Sequence, residues 1–189
     1  PTIGERTATR FALYLLSLPK TKVEKICQEI LNLKKEIKRC SFCFNPYSPQ
    51  ANETLCPICR DKKREKTLCI VEKETDLISI ENTNKYRGLY HVLGGLMSEL
   101  NENKKQKLNI NQLLTRIKKV SKTPQKIKEI ILALNPTSEG NLTTYTLEKA
   151  IKELNLDIKI TKLGRGLPQG GEVEFADAET LVNALEGRK

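Results

Sequence analysis

Cys40-Ser41-Phe42-Cys43 and Cys56-Pro57-Ile58-Cys59 form two C-x-x-C pairs separated by twelve residues. A two-residue gap lets both thiolates of a pair face one point. Two such pairs can therefore close a tetrahedron around a soft divalent ion at about 2.3 Å from each sulfur. With all four corners taken by sulfur no position stays open for water, so a single zinc ion held there is structural rather than catalytic. A thioredoxin-like redox pair, or four unrelated core thiols, are the competing readings. The other two cysteines, Cys27 and Cys69, stand among apolar neighbours and read as small core residues.

A second constellation lies at the start of the chain. Pro1-x-Ile3-Gly4 followed by Arg6, Thr7 and Arg10 has the form of a glycine turn feeding a helix, whose amide groups can approach a phosphate. Arg6 and Arg10 lie four apart on one helix face, away from the apolar positions, which suits two successive phosphate contacts; a solvated basic face is the competing reading. Glu72 ends an apolar run at Leu68 to Val71, and Asn135-Pro136-Thr137 ends another at Glu129 to Leu134. Carboxyl ends of strands are where ligands of open α/β sheets sit. The only histidine, His91, has no nucleophile near it in sequence and reads as a hydrogen-bonded core or edge residue. The glycines of Arg165 to Gly171 are followed by no Gly-Lys-Ser/Thr and read as a conformationally special loop.

These groups need a scaffold, and the apolar pattern describes one. Ala8, Phe11, Ala12, Leu15 and Leu16 mark one face of a helix, the second half of a helical hairpin. Leu18-Pro19 stops it, Thr21 can cap the next, and Val23, Ile26, Cys27, Ile30 and Leu31 continue the helical period, with Lys34 to Arg39 as its basic end. Cys40 to Cys59 contains no periodic segment and cannot fold without a metal. After a charged connector, Asp61 to Lys66, strand candidates at Leu68 to Val71, Gly88 to Val92, Glu129 to Leu134 and Asp157 to Leu163 alternate with helices near Thr75 to Asn82, Asn109 to Lys119 and Leu142 to Leu154. That order implies a mainly parallel sheet with right-handed crossovers. Ser98 to Lys107 is polar and reads as a loop. Phe175 to Arg188 carries Ala176, Leu181 and Leu185 in helical spacing after Asp177 and suits packing on a neighbour.

Composition bounds the partners. Thirty-three Lys and Arg against 23 Asp and Glu leave a net charge of +10, which favours a polyanion through counterion release. The lysines from Lys118 to Lys128 could line a nucleic-acid channel, though such runs are more often solvated faces. No run of about 18 apolar residues occurs, and no segment resembles a signal peptide, so a reducing, cytoplasmic setting without membrane is expected. The chain opens on Pro1 and its only methionine is Met97, so a short N-terminal piece is expected to precede it.

The combination of Ile3-Gly4-x-Arg6-Thr7-Ala8-x-Arg10, the cysteine quartet, Tyr86-Arg87-Gly88-Leu89-Tyr90-His91-Val92-Leu93-Gly94-Gly95, Asn135-Pro136-Thr137-x-Glu139-Gly140 and Arg165-Gly166-Leu167-Pro168-x-Gly170-Gly171 resembles the RecR family of bacterial recombination mediators, nearly end to end. The resemblance implies an α+β chain of several parts. Residues 1–39 would be a helix-hairpin-helix remnant and helix, 40–59 a four-cysteine zinc finger, 67–163 an α/β Toprim domain with a mainly parallel sheet, and 164–189 a C-terminal segment, with a helix, for subunit packing. In catalytic Toprim proteins a glutamate joins an Asp-x-Asp pair to hold magnesium. Glu72 matches the first position, whereas Asn135 and Thr137 stand in place of the aspartates. Neutral oxygens neutralise no metal charge, which argues against a tight catalytic divalent site. The resemblance implies a non-catalytic homotetrameric clamp, or dimer of dimers, on double-stranded and gapped DNA at the nucleoid, which works with RecF and RecO to load RecA. Arg6 and Arg10 would face the DNA, and Glu72, Asp76 and Glu139 would help contact RecO. A magnesium-dependent Toprim nuclease or topoisomerase-like enzyme is the alternative, and a zinc-ribbon RNA-binding protein ranks last.

Overall fold

The computed structural model describes residues 3–50, 52–98, 108–123 and 126–188. Pro1, which opens the hairpin motif, lies outside the described residues, as does all of the expected loop at 98–107 except Ser98. The first helix, α1 (Glu5–Ser17), ends where Leu18 precedes a proline and turns extended. Pro19, not the expected Thr21, stands at the entrance of α2 (Lys20–Glu36); its fixed φ suits that position. Neither helix has a buried residue, and Phe11 and Leu16 are 57% and 81% exposed. The apolar faces read from the sequence are thus present but uncovered, and Cys27 is exposed rather than a core residue.

The helix also stops earlier than its basic run suggests. Lys38–Arg39 form a short strand, β1, antiparallel to β2 (Pro46–Tyr47), with Lys38 opposite Tyr47. The cysteine segment therefore begins inside a two-stranded ribbon, whose second strand it supplies, and ends with the one-turn helix α3 (Pro57–Arg60).

The main body is a parallel sheet of β3 (Thr67–Val71), β4 (Leu89–Val92), β5 (Glu129–Ala133) and β6 (Lys159–Lys162), in the order β4-β3-β5-β6. The connections carry α4 (Glu74–Asn82), α5 (Ile110–Ser121) and α6 (Ser138–Lys152). Because side chains alternate along a strand, Leu68, Ile70, Ile130 and Leu132 form one core with Leu113 and Ile117 of α5 and Leu147 and Ile151 of α6. Cys69, Val71, Tyr90, Val92 and Ala133 face the other way, onto Leu77 of α4 and onto Phe44 and Ile58 of the cysteine segment. Central β3 is covered on both faces, hence its unbroken apolar run. The connector is not simply solvated: Arg64 turns inward, pairs with Glu81 of α4 and donates to the Gly88 carbonyl at 3.1 Å.

After β6 the chain passes through a single 3₁₀ turn, Val173–Phe175, to α7 (Ala178–Glu186), which Asp177 caps by accepting from the Thr180 amide at 2.9 Å. Arg165 ties this tail to the body, donating to Asn141 at 2.8 Å and pairing with Glu179 at 3.4 Å. Phe175 and Leu185 remain 78% and 61% exposed.

Candidate functional site

The four cysteines converge. All four Sγ atoms lie within 4.8 Å of one another, and Cys40, Cys43 and Cys56 are fully buried. The local chain explains the convergence. Cys40 follows β1, and the turn after it closes with the Phe44 amide on the Cys40 carbonyl at 3.0 Å and Phe44 at φ 65°. Cys56 stands at the entrance of α3, whose single turn carries Cys59. The amides of Phe42 and Cys56 point at the Cys40 sulfur from 3.5 and 3.4 Å. Hydrogen bonds from the other three cysteines, joined by the Cys56 amide, hold the Cys40 thiol well below the ordinary thiol range. Four soft sulfur donors with no oxygen among them suit a tetrahedral ion such as zinc. Outside the sulfurs, Glu53 pins the intervening loop: its carboxylate pairs with Arg60 and accepts from the Gln50 amide, and its carbonyl accepts from the Tyr47 hydroxyl at 2.7 Å.

This knuckle is docked on the sheet. The outer edge of β4 offers its Val92 amide to the Cys43 carbonyl at 2.9 Å, so the cysteine turn occupies a backbone donor that an edge strand would otherwise expose. Arg116 of α5, 3% exposed, donates from Nη1 to the Phe42 carbonyl at 3.1 Å and to the Tyr90 carbonyl at 2.6 Å. Its guanidinium carbon stacks 4.4 Å from the centroid of the Phe42 ring. Nearby, His91 is fully buried with Nε2 at 2.9 Å from the Asn109 carbonyl, and Asn109 donates its side-chain amide to the Val92 carbonyl at 3.0 Å. Burial pushes the His91 pKa down to about 4, so the ring is neutral and Nε2 donates.

The carboxyl ends of β3 and β5 form a second locus. The Glu72 carbonyl accepts the Gly94 and Gly95 amides at 2.8 and 3.1 Å. Its carboxylate accepts the Asn135 side-chain amide at 2.6 Å. Asn135 leads into α6, which begins at Ser138, four residues before the apolar pattern does, because Thr137 caps it by accepting from the Gly140 amide at 3.1 Å. Asp76 is occupied in capping α4, accepting the Lys73 amide at 3.1 Å, while Glu139 is exposed in the first turn of α6. Asn135 and Asp76 share a cleft of about 600 Å³ with Arg165 and Asp177 of the tail. Glu72 thus gives its charge to an amide donor, and no group of three or more acidic, cysteine or histidine ligands other than the cysteine quartet gathers among the described residues.

Arg6 and Arg10 project from the first two turns of α1 and are exposed, with no hydrogen bond or ion pair of their side chains among the described residues. Gly4 precedes them at φ −77° and ψ 168°, extended at the entrance of the helix; the expected turn runs back through Pro1 and Thr2, outside the described residues. A Cβ added to it would meet nothing within 4 Å. Among the described residues nothing accepts from the amides of Glu5, Arg6 and Thr7 in the first turn. Two residues that hold these loci together, Arg116 and Asn109, escaped the sequence reading. The one signal for Arg116 was its position beside Leu113 and Ile117 on an apolar helix stripe.

Comparison with known proteins places this geometry. The Toprim domain model matches residues 66–163, and the model described as RecR, C-terminal, matches residues 166–189. The chain is 41% identical to the recombination protein RecR of Desulfitobacterium hafniense, over the whole of this chain and 89% of that relative. It is 40% identical to the RecR proteins of Chloroflexus aggregans and Trichormus variabilis, again over the whole chain and over 87% and 96% of those proteins. No helix among the described residues is long and apolar enough to cross a membrane.

Proposed function

Since this chain belongs to the RecR family of recombination proteins, we propose that it acts in recombinational DNA repair as a DNA-binding clamp subunit without turnover, its knuckle closed by one structural zinc ion. The observation that carries the non-catalytic part is the contact between Asn135 and the Glu72 carboxylate at 2.6 Å. A neutral donor fills the place where a second carboxylate would be needed to hold magnesium. Zinc supplies charge neutralisation and cross-linking at the cysteines. The protein's own residues do the rest: the Phe42 and Cys56 amides orient the Cys40 sulfur, and packing with Tyr47, Phe42, Leu55 and Ile58 keeps three of the four ligands buried.

The hairpin arginines supply the DNA contact. Arg6 and Arg10 are exposed and unpaired at a helix start whose first amides have no acceptor among the described residues, an arrangement suited to phosphates and indifferent to base sequence. The uncovered apolar faces of α1, α2 and the tail fit assembly into a homo-oligomer, a tetramer or dimer of dimers. Exposed Glu139 and the Glu72 and Asp76 edge fit contacts to RecO, with RecF and RecA loading downstream.

Duplex and gapped DNA binding measured across salt tests this reading. Replacing both Arg6 and Arg10 by Ala is expected to weaken binding at least tenfold and to lower the slope of log K against log salt by about 0.9 for each lost phosphate contact. A defined duplex bound hundreds of times better than random duplex, or nicking with magnesium above that of a Glu72→Ala control, would refute it.

A further inference from the structure

Arg116 is anomalous among the charged groups described so far. It is 3% exposed, yet no carboxylate lies within ion-pair distance among the described residues, and its Nε and Nη2 atoms find no hydrogen-bond acceptor there. A buried cation without an anion is strongly unfavourable. Two carbonyl oxygens and the face of Phe42 offset part of that cost, but all three carry only partial charge.

The missing anion is next door. Phe42, against which Arg116 both stacks and donates, lies inside the first C-x-x-C pair, one residue before Cys43. Four thiolates around a divalent ion carry a net charge of about −2; the amides of Phe42 and Cys56 on Cys40, of Asn45 on Cys43 and of Cys59 on Cys56 supply only partial positive charge against it. We propose that Arg116 is the counter-ion of the metal centre, its buried guanidinium balancing the negative charge of the tetrathiolate and thereby coupling retention of the metal to docking of the knuckle on the edge of β4. The electrostatics agree: burial lowers the Arg116 pKa, and Cys59, Cys43, Cys40 and Cys56 oppose that shift. The same side chain grips one carbonyl of the knuckle and one of β4. Metal charge, arginine and sheet edge are therefore one unit: with the metal gone the charged centre that Arg116 faces is dismantled, and the interface it spans loses electrostatic support. Arg116 is a positioning residue in this scheme and touches no substrate.

The inference rests on zinc occupying the cysteines, and the experiment separates the two. Purified full chain is titrated with a chromogenic chelator while released zinc is followed. Wild type, Arg116→Gln, which keeps a neutral donor for the two carbonyls, and Arg116→Lys, which keeps the charge, are compared. The expected result is about a 10–100-fold loss of zinc affinity in Arg116→Gln, the range for residues that support metal ligands, with most of it restored in Arg116→Lys. Unchanged affinity in Arg116→Gln, or equal losses in both variants, would overturn the proposal while leaving the zinc site standing. Absence of zinc from wild type would overturn the zinc reading itself. A second measurement needs no variant: stripping zinc from wild type is expected to raise hydrogen exchange at the Val92 amide and in α5 before β5 is affected. Retained protection there in metal-free protein would also sink the coupling.

Discussion

Replacing Gly140 by Ala sets two opposite effects against each other, and the structure decides between them. In an ordinary helix the change is stabilising by about 1 kcal/mol, because glycine loses more backbone freedom on folding. Here the added Cβ would lie 1.9 Å from the Asn135 carbonyl oxygen and 3.1 Å from the Asn135 carbonyl carbon. Real Cβ atoms do not approach heavy atoms within 3.0 Å, so more than an ångström must be absorbed by backbone. That backbone is held: the Thr137 amide donates to Asn135 O at 2.9 Å, the Asn141 amide to Thr137 O at 2.7 Å, and the Gly140 amide to Thr137 Oγ1 at 3.1 Å. Overpacking costs about 1–3 kcal/mol and a damaged N-cap about 1 more. The net expectation is a loss of about 2 kcal/mol, or roughly 4–8 °C in Tm for a chain of this length. Urea and thermal unfolding of the variant, beside Ala substituted at exposed Ser138 as a control for helix propensity, measure it. A Gly140→Ala protein as stable as wild type, or more so, would refute the reasoning, since the turn that brings Asn135 to Glu72 would then be free to relax.

Two further outcomes follow from buried and half-buried titrating groups. His91 is the only histidine, so one imidazole signal in an NMR titration reports it. With its pKa lowered from 6.5 to about 4, the unfolded chain binds the proton first. Stability is therefore full above pH 6.5 and falls by about 3 kcal/mol as the pH drops to 4; a titration midpoint above 6 would contradict this, and His91→Leu is expected to flatten the dependence. Arg64, bonded to Glu81 and only partly exposed, lowers the Glu81 pKa. Its stabilising share is thus present above the ordinary glutamate range and lost as the pH falls through the lowered value. Glu81→Gln is expected to cost on the order of 1 kcal/mol at pH 7, with the gap to wild type closing below pH 4; a gap that persists in acid would mean that packing, not charge, was removed.

Much of this was legible because the signals are short-range. The C-x-x-C spacing fixes each pair of sulfurs within four residues, and alternating β-branched runs and amphipathic segments give a parallel sheet almost by themselves. The errors fall where the determinant is not periodic. The first turn of α6 is polar, so its start is set by Thr137 and by the bare Cα of Gly140, neither of which an apolar period can register. The β1–β2 ribbon is two residues long on each side and owes its existence to the cysteine turn. Arg116 was missed because a charge is assumed to seek water, and only the docking of the knuckle makes it a core residue. In α1 and α2 the period correctly announced an apolar face, with Cys27 on it; nothing among the described residues covers that face, so burial could not be inferred from pattern alone.

The two margins of the sheet are guarded by different means. Beyond β5 the outer strand is short and carries Lys159 and Lys162 at its exposed ends, and charge discourages another strand from pairing with it. Beyond β3 the guard is the knuckle, which occupies Val92 N and, through Arg116, Tyr90 O. If the cysteines are oxidised or stripped of metal and the knuckle lifts, β4 becomes an apolar strand, Leu89-Tyr90-His91-Val92, with vacant donors and acceptors along one side. Such a strand recruits its own kind. Loss of the ion would thus be felt first as solubility: metal-depleted protein would gather into edge-paired aggregates while most of its sheet was still folded.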